Sequence, residues 1–206
     1  MNANTTSQVR EKSRIHYLAK VGMLSALATV LMVIEFPLPF LAPPFYKLDF
    51  SEVPVLIGGF AMGPVAAVLI ELVKILLHML IEGSTTAGVG DFANFLIGCS
   101  MAAPAALIYR RHKTKKTAIT GLAVGTVCMT VIGCFLNAYV LLPAYSAALV
   151  PMETILAMGN AVNSAIDNVF TFVVIAVAPF NVVKGVVVSL ITLLLYKHTS
   201  KVLKNL

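Results

Sequence analysis

The chain is poor in charge and contains no tryptophan. Of its 206 residues, 12% are charged and 59% are hydrophobic, and the mean hydropathy is +0.91. Soluble domains carry about 25% charged residues and about 45–50% apolar residues. The composition therefore excludes an ordinary soluble domain and predicts an integral membrane protein.

Cysteines and the common catalytic motifs are also scarce. The three cysteines, Cys99, Cys128 and Cys134, lie in apolar runs without a CxxC pair, which argues against a disulfide framework and against a zinc site. The sequence contains no GxxxxGK(S/T), HExxH or GxSxG motif. We therefore expect a protein that is not an enzyme, does not itself hydrolyse ATP, and holds no cofactor or metal.

Basic residues, in contrast, are clustered. The net charge is +6, and most of the fifteen lysines and arginines fall into three groups. Positively charged short loops stay on the cytoplasmic side of a membrane, so the groups indicate orientation rather than nucleic-acid binding. They are Arg10, Lys12, Arg14 and Lys20 near the start, Arg110, Arg111, Lys113, Lys115 and Lys116 in the middle, and Lys197, Lys201 and Lys204 at the end.

The apolar runs predict an all-α membrane protein. A seventh span would place the last basic group opposite to the other two, so we predict six transmembrane helices with both termini in the cytoplasm. The last helix is expected to begin near Phe180, and Gly121 and Gly125 have the small-xxx-small spacing of closely packed membrane helices. The predicted segments are a cytoplasmic N-terminal segment (1–16), a membrane domain (17–198) with outer loops 35–52, 82–91 and 142–178, and a cytoplasmic tail (199–206).

Three ionisable residues of the predicted third helix lie on one face. Glu71, Lys74 and His78 have the spacing i, i+3 and i+7, which would suit a proton relay or part of an ion site. An ion pair between Glu71 and Lys74 is the favoured interpretation, because pairing is the usual way in which buried charge is tolerated. His78 and Glu82 could share a metal, but a third strong ligand is missing.

Another set of polar residues indicates a ligand site. Asn181 and Lys184 lie three positions apart near the start of the predicted last helix. A lysine in a membrane segment costs about 3 kcal/mol and normally faces a pocket, a partner or water. With six spans, Asn94, Asn137, Asn181 and Lys184 all lie in the outer third of the membrane. Amides offer paired donors and acceptors, which suits a neutral heterocycle.

The first loop carries four prolines and five aromatic residues between positions 35 and 51. The prolines exclude a helix interior. A lid over a pocket and a loop resting at the membrane interface both agree with this pattern, and both stay open.

Four segments together resemble a known family. They are residues 47–54 (KLDFSEVP), 91–98 (DFANFLIG), 136–145 (LNAYVLLPAY) and 179–185 (PFNVVKG). In combination they are similar to the riboflavin-specific substrate-binding (S) component of energy-coupling factor (ECF) transporters, and the likeness extends over about residues 17–198.

The resemblance implies six helices in the bacterial cell membrane, a riboflavin site that opens outward, and a lid formed by the first loop. Such a subunit binds riboflavin and delivers it inward while docked on a transmembrane coupling protein and two cytoplasmic ATPase subunits. An S component for another vitamin stays open as an alternative, as does an ion-coupled carrier that uses Glu71, Lys74 and His78.

The resemblance also implies roles for individual residues. Lys184 would donate to a carbonyl group of the flavin ring rather than form an ion pair. The expected substrate contacts are Asn137, Asn181 and Lys184, with Asn94 at the same depth and Leu41, Ala42, Tyr46 and Lys47 from the first loop. The face towards the coupling protein would consist of Gly22 and Ala26, with Ser25 and Thr29 beside it.

Overall fold

The computed structural model describes the backbone of residues 3–84 and 88–205 and the side chains of residues 13–84 and 88–196. Residues 85–87 of the predicted loop 82–91 lie outside the described residues, as do the side chains of the predicted tail 199–206. The described chain is almost entirely helical, which confirms the all-α prediction. The helices are α1 (Ala3–Val33), α2 (Glu52–Met62), α3 (Pro64–Glu82), α4 (Val89–Arg111), α5 (Lys115–Leu136), α6 (Leu142–Ala148), α7 (Met152–Val162), α8 (Val169–Phe172) and α9 (Ala178–Asn205).

Five segments of the described chain are long and apolar enough to cross a membrane. The helix α2 is also apolar, but its eleven residues are only roughly 16 Å long, about half the thickness of the hydrocarbon core. It joins α3 through Gly63, whose φ of 102° favours glycine. The sixth span therefore stays a prediction that concerns α2. The five long segments are Ser13–Val33, Pro64–Glu82, Val89–Arg111, Lys115–Ala148 and Val169–Tyr196.

The outer loop predicted for residues 142–178 is largely helical. A π-helical stretch, Asn137–Leu141, joins α5 to α6, and a second one, Val173–Val177, joins α8 to α9. The last helical segment consequently begins at Val169 and not near Phe180. Asn168, within the predicted loop, is the N-cap of this segment, since its side chain accepts a hydrogen bond from the Thr171 backbone N–H at 2.9 Å.

Each π-helical stretch ends two residues before a proline. The backbone N–H of Leu142 donates to Asn137, and that of Ala178 donates to Val173, each five residues back. Proline has no N–H and clashes with the preceding turn of a regular helix. The wider turns therefore let both helices continue past Pro143 and Pro179, and π-helical turns are frequent at functional sites.

Close packing of α4 against α5 depends on two glycines. A Cβ atom added to Gly121 would lie 2.7 Å from the backbone oxygen of Ala105, and one added to Gly125 would lie 2.5 Å from that of Met101. Backbone atoms cannot move aside as a flexible side chain can. The small-xxx-small prediction for this helix pair is confirmed.

The first loop, residues 34–51 between α1 and α2, folds back on itself. The short strands β1 (Phe36–Pro37) and β2 (Lys47–Leu48) pair antiparallel across it. Close to these paired strands, the Phe36 and Phe50 rings pack edge to face, with 5.6 Å between their centroids. Aromatic rings at the tip of the loop contact Phe172 of α8 and Phe180 of α9.

Candidate ligand-binding site

The first loop, helices α1, α4, α6 and α9, and the π-helical stretch Asn137–Leu141 line a cavity that opens to the surface. The structure brings six of the predicted substrate contacts together there: Tyr46, Lys47, Asn94, Asn137, Asn181 and Lys184. Three aromatic side chains complete one wall, namely Phe45, Tyr145 and Phe180.

Two other predicted contacts are not at the cavity. Leu41 and Ala42 both donate their backbone N–H groups to the carbonyl oxygen of Leu38, which forms a turn. Ala42 is fully buried in an apolar cluster that includes Phe172, and Leu41 packs against the same cluster. The structure thus places these two residues behind the cavity wall, where they support the loop.

The Asn137 side chain is held in one orientation by two hydrogen bonds. Its Nδ2 atom donates to the carbonyl oxygen of Gly133 at 2.8 Å, and its Oδ1 atom accepts from the hydroxyl group of Tyr46. Burial raises the pKa of Tyr46 well above its ordinary value, so the hydroxyl keeps the proton that it donates. The amide retains one N–H and one lone pair for a ligand.

Asn181 is fixed in a similar way from the opposite helix. Its Nδ2 atom donates to the carbonyl oxygen of Val177 at 2.9 Å, and the side chain is 5% exposed. A Cβ atom added to Gly133 would lie 3.1 Å from this Nδ2 atom. The two buried amides therefore line the cavity where α5 and α9 approach each other closely.

Lys184 forms an ion pair in this structure. Its Nζ atom lies 2.7 Å from Oδ2 of Asp49, and the two side chains are 15% and 9% exposed. Burial alone would raise the pKa of Asp49, but the ammonium groups of Lys184 and Lys74 outweigh it and lower this pKa to about 2. Lys184 thus has a counter-charge within the protein, as a buried ammonium group needs, and its predicted hydrogen bond to a flavin carbonyl group stays a prediction.

The second lysine at the cavity is also paired. Lys47 forms an ion pair with Glu35 at the base of the first loop. Each of the two lysines that line the described cavity thus has its own carboxylate partner. The cavity offers a ligand polar groups without a surplus of positive charge.

Asp49 is a cavity residue that the site prediction missed, although its segment was part of the resemblance. It also anchors the start of α2, since its Oδ1 atom accepts from the Ser51 backbone N–H at 2.8 Å. The one sequence signal that could have pointed to it is Lys184 itself, because pairing with a carboxylate is one of the usual ways in which a lysine in a membrane segment is tolerated.

The ionisable residues of α3 form a separate buried cluster. The Nζ atom of Lys74 lies 2.6 Å from Oε1 of Glu71 and 2.8 Å from Oε1 of Glu52. The predicted ion pair is confirmed, with Glu52 as an additional partner. His78 lies elsewhere, 3.3 Å from Glu82, and the described residues contain no group of three potential metal ligands.

The residues assigned to the coupling face divide into two pairs. Gly22 and Ala26 are exposed on α1, in agreement with a contact surface. Ser25 and Thr29 are 0% and 2% exposed, and their hydroxyl groups reach the backbone oxygens of Ile70 and Lys74 at 3.3 and 3.4 Å. The structure therefore places this second pair inside the helix bundle, where hydroxyl groups find acceptors that lipid lacks.

Comparison with known proteins identifies the family. The model of the ECF transporter substrate-specific component matches residues 16–196. The chain belongs to this family. Among curated relatives, it is 39% identical to the riboflavin transporter RibU of Staphylococcus aureus over the full length of both chains. It is 34% identical to the riboflavin transporter FmnP of Bacillus subtilis, covering 89% of this chain and 91% of the relative.

A solved structure agrees with this assignment. The S component of a bacterial ECF transporter matches with a TM-score of 0.71 and 38% identity, over 93% of this chain and 99% of that chain. This S component is therefore a multi-pass protein of the bacterial cell membrane. The resemblance drawn from the four sequence segments is confirmed at the level of the family.

Proposed function

We propose that this S component binds riboflavin in the cavity and delivers it across the membrane as the substrate-specific subunit of an ECF importer. The observation that carries the proposal is the placement of two oriented amides, Asn137 and Asn181, beside Lys184 in a cavity with an aromatic wall. Aromatic rings suit the flat isoalloxazine group, and the amides and ammonium suit its pyrimidine edge, which would be costly to bury unpaired. The full-length similarity to RibU supports the same ligand.

The charge balance of the cavity favours riboflavin over an anionic vitamin. Lys47 is paired with Glu35, and Lys184 is paired with Asp49. A carboxylate ligand would therefore meet no unpaired cation among the described residues that line the cavity, whereas a neutral ligand brings no charge that must be balanced. Riboflavin is neutral, and an S component for an acidic vitamin fits this site less well.

The buried cluster on α3 favours the S component over an ion-coupled carrier. Glu71 and Lys74 are 0% and 2% exposed and do not line the cavity. Their charges are engaged with each other and with Glu52. These residues stabilise the bundle, and ATP hydrolysis on partner subunits supplies the energy for transport.

The partners follow from the family. A transmembrane coupling protein and two cytoplasmic ATPase subunits complete the importer, and the exposed small residues Gly22 and Ala26 on α1 form the contact face for the coupling protein. The ligand is a transported substrate and not a resident cofactor. The cavity opens outward, with both chain termini in the cytoplasm.

Titration of riboflavin fluorescence tests the proposal. Protein purified in mild detergent should quench riboflavin fluorescence at a ratio of one to one. Lys184→Ala should weaken binding about ten-fold or more, because one charge-assisted hydrogen bond is lost. Lys116→Ala is the matched control, since this lysine is exposed and does not line the cavity. Equal affinity of wild-type protein and Lys184→Ala would contradict the proposed site.

A further inference from the structure

The ion pair between Asp49 and Lys184 connects parts of the chain that are far apart in sequence. Asp49 belongs to the first loop and Lys184 to α9, and their Oδ2 and Nζ atoms are 2.7 Å apart. A neutral flavin cannot supply the negative charge that a buried ammonium group requires. The protein must therefore provide this charge whether or not the ligand is bound.

Asp49 is itself held firmly in place. Its Oδ1 atom accepts the backbone N–H of Ser51, and the Ser51 hydroxyl group accepts a hydrogen bond from Lys74 at 3.3 Å. The Asp49 carboxylate is thus tied to the first turn of α2 and, through Ser51, to the buried cluster on α3. A carboxylate held in this way can hold the Lys184 ammonium group in one position.

The ammonium group of Lys184 has three donors. One is directed at Asp49, and the others are available to the cavity that Lys184 lines. The four-carbon stem of a lysine is flexible and can adopt many rotamers. Without a fixed acceptor, the ammonium group would have to be ordered each time a ligand binds.

We propose that Asp49 is a positioning residue that acts through Lys184: it holds the ammonium group so that its free donors face the flavin ring. This inference rests on the proposed function. Because Asp49 lies on the first loop, docking of this loop and orientation of Lys184 occur together. The first loop therefore contributes to riboflavin affinity through Lys184 of α9 as well as through its own contacts with the ligand.

A double-mutant cycle on the riboflavin dissociation constant tests this role. Asp49→Asn should weaken binding about ten-fold, the effect of losing one charge-assisted hydrogen bond. In a Lys184→Met background, Asp49→Asn should cause no further loss, because its effect passes through the missing ammonium group. Glu153→Gln is the matched control, since this carboxylate is exposed on α7 and does not line the cavity.

Asp49→Glu is the second variant, for use if Asp49→Asn does not yield folded protein. It keeps the charge but displaces the carboxylate, so a loss of affinity that vanishes in the Lys184→Met background supports the proposal. The absorption spectrum of the bound flavin gives a further readout. Displacement of the Lys184 ammonium group should shift the absorption bands of the bound flavin. A purely structural defect would instead lower the melting temperature and leave the spectrum unchanged.

Two outcomes would overturn the proposal. One is wild-type affinity in Asp49→Asn, and the other is an equal loss of affinity with and without Lys184, which would mean that Asp49 acts independently. If wild-type protein fails to bind riboflavin at all, the proposed function itself is wrong. The same titration therefore distinguishes failure of the proposed role of Asp49 from failure of the proposed function.

Discussion

The hydroxyl group of Tyr46 donates a hydrogen bond to Oδ1 of Asn137. This contact joins the first loop to the π-helical stretch at the end of α5, 91 positions away in sequence. Three residues further along the same loop, Asp49 accepts from Lys184 of α9. One loop thus orients polar groups on two separate helical segments that line the cavity, and preorganisation of this kind lowers the cost of binding.

Replacement of Tyr46 should show how much its hydrogen bond to Asn137 contributes to riboflavin affinity. In Tyr46→Phe, the Asn137 amide loses one of the two hydrogen bonds that orient it, so riboflavin should bind about three- to ten-fold more weakly. Tyr139→Phe is the control, because Tyr139 is 71% exposed and does not line the cavity. Fluorescence titration measures both. Equal losses in the two variants would show that the Tyr46 hydroxyl has no specific role.

Phosphorylated flavin should bind less well than riboflavin. The phosphate of FMN carries about two negative charges, and the lysines at the cavity already have carboxylate partners. We expect FMN to bind about ten-fold or more weakly, which a competition titration against riboflavin measures. FMN that bound as tightly as riboflavin would refute the argument from charge balance.

The ion pair between Asp49 and Lys184 should give a defined dependence of stability on pH. The pKa of Asp49 is lowered to about 2 in the folded protein, below its unfolded value of about 4. Its contribution to stability is therefore fully present above about pH 4 and is lost as the pH falls towards 2. The difference in melting temperature between wild-type protein and Asp49→Asn should be constant from neutral pH down to about pH 5. It should shrink only under more acidic conditions, and a decline near neutral pH would contradict the low pKa.

Removal of Lys74 should destabilise the bundle strongly. Lys74→Met leaves the carboxylates of Glu71 and Glu52 buried without their cation. Breaking one side of a buried ion pair costs about 3–5 kcal/mol of unfolding free energy. Unfolding in detergent, monitored by circular dichroism, measures this loss against Lys116→Met, an exposed lysine on α5. Similar stability of the two variants would show that the cluster is not a structural element.

Several features of the fold and site were predictable because they depend on local pattern. Hydropathy indicates an all-α membrane protein, and Gly121 and Gly125 mark the close contact of two helices. Asn137, Asn181 and Lys184 stand out because polar groups are costly at their depth in a membrane. The structure brings all three to one cavity.

The remaining features depend on contacts that local pattern does not encode. The partner of Lys184 is an aspartate 135 positions away, and nothing near Asp49 distinguishes it from the other acidic residues. Asn168 lies within the predicted outer loop 142–178 but caps a helix. Ser25 and Thr29 have the spacing of an exposed small-residue face, yet their hydroxyl groups turn inward to acceptors on α3.

Riboflavin binding in the cavity is tested most directly by the absorption spectrum of the protein purified in mild detergent before any ligand is added. We expect a flavin band in the visible range and release of riboflavin on denaturation, at about one molecule per chain. A colourless protein that also failed to quench added riboflavin fluorescence would contradict it.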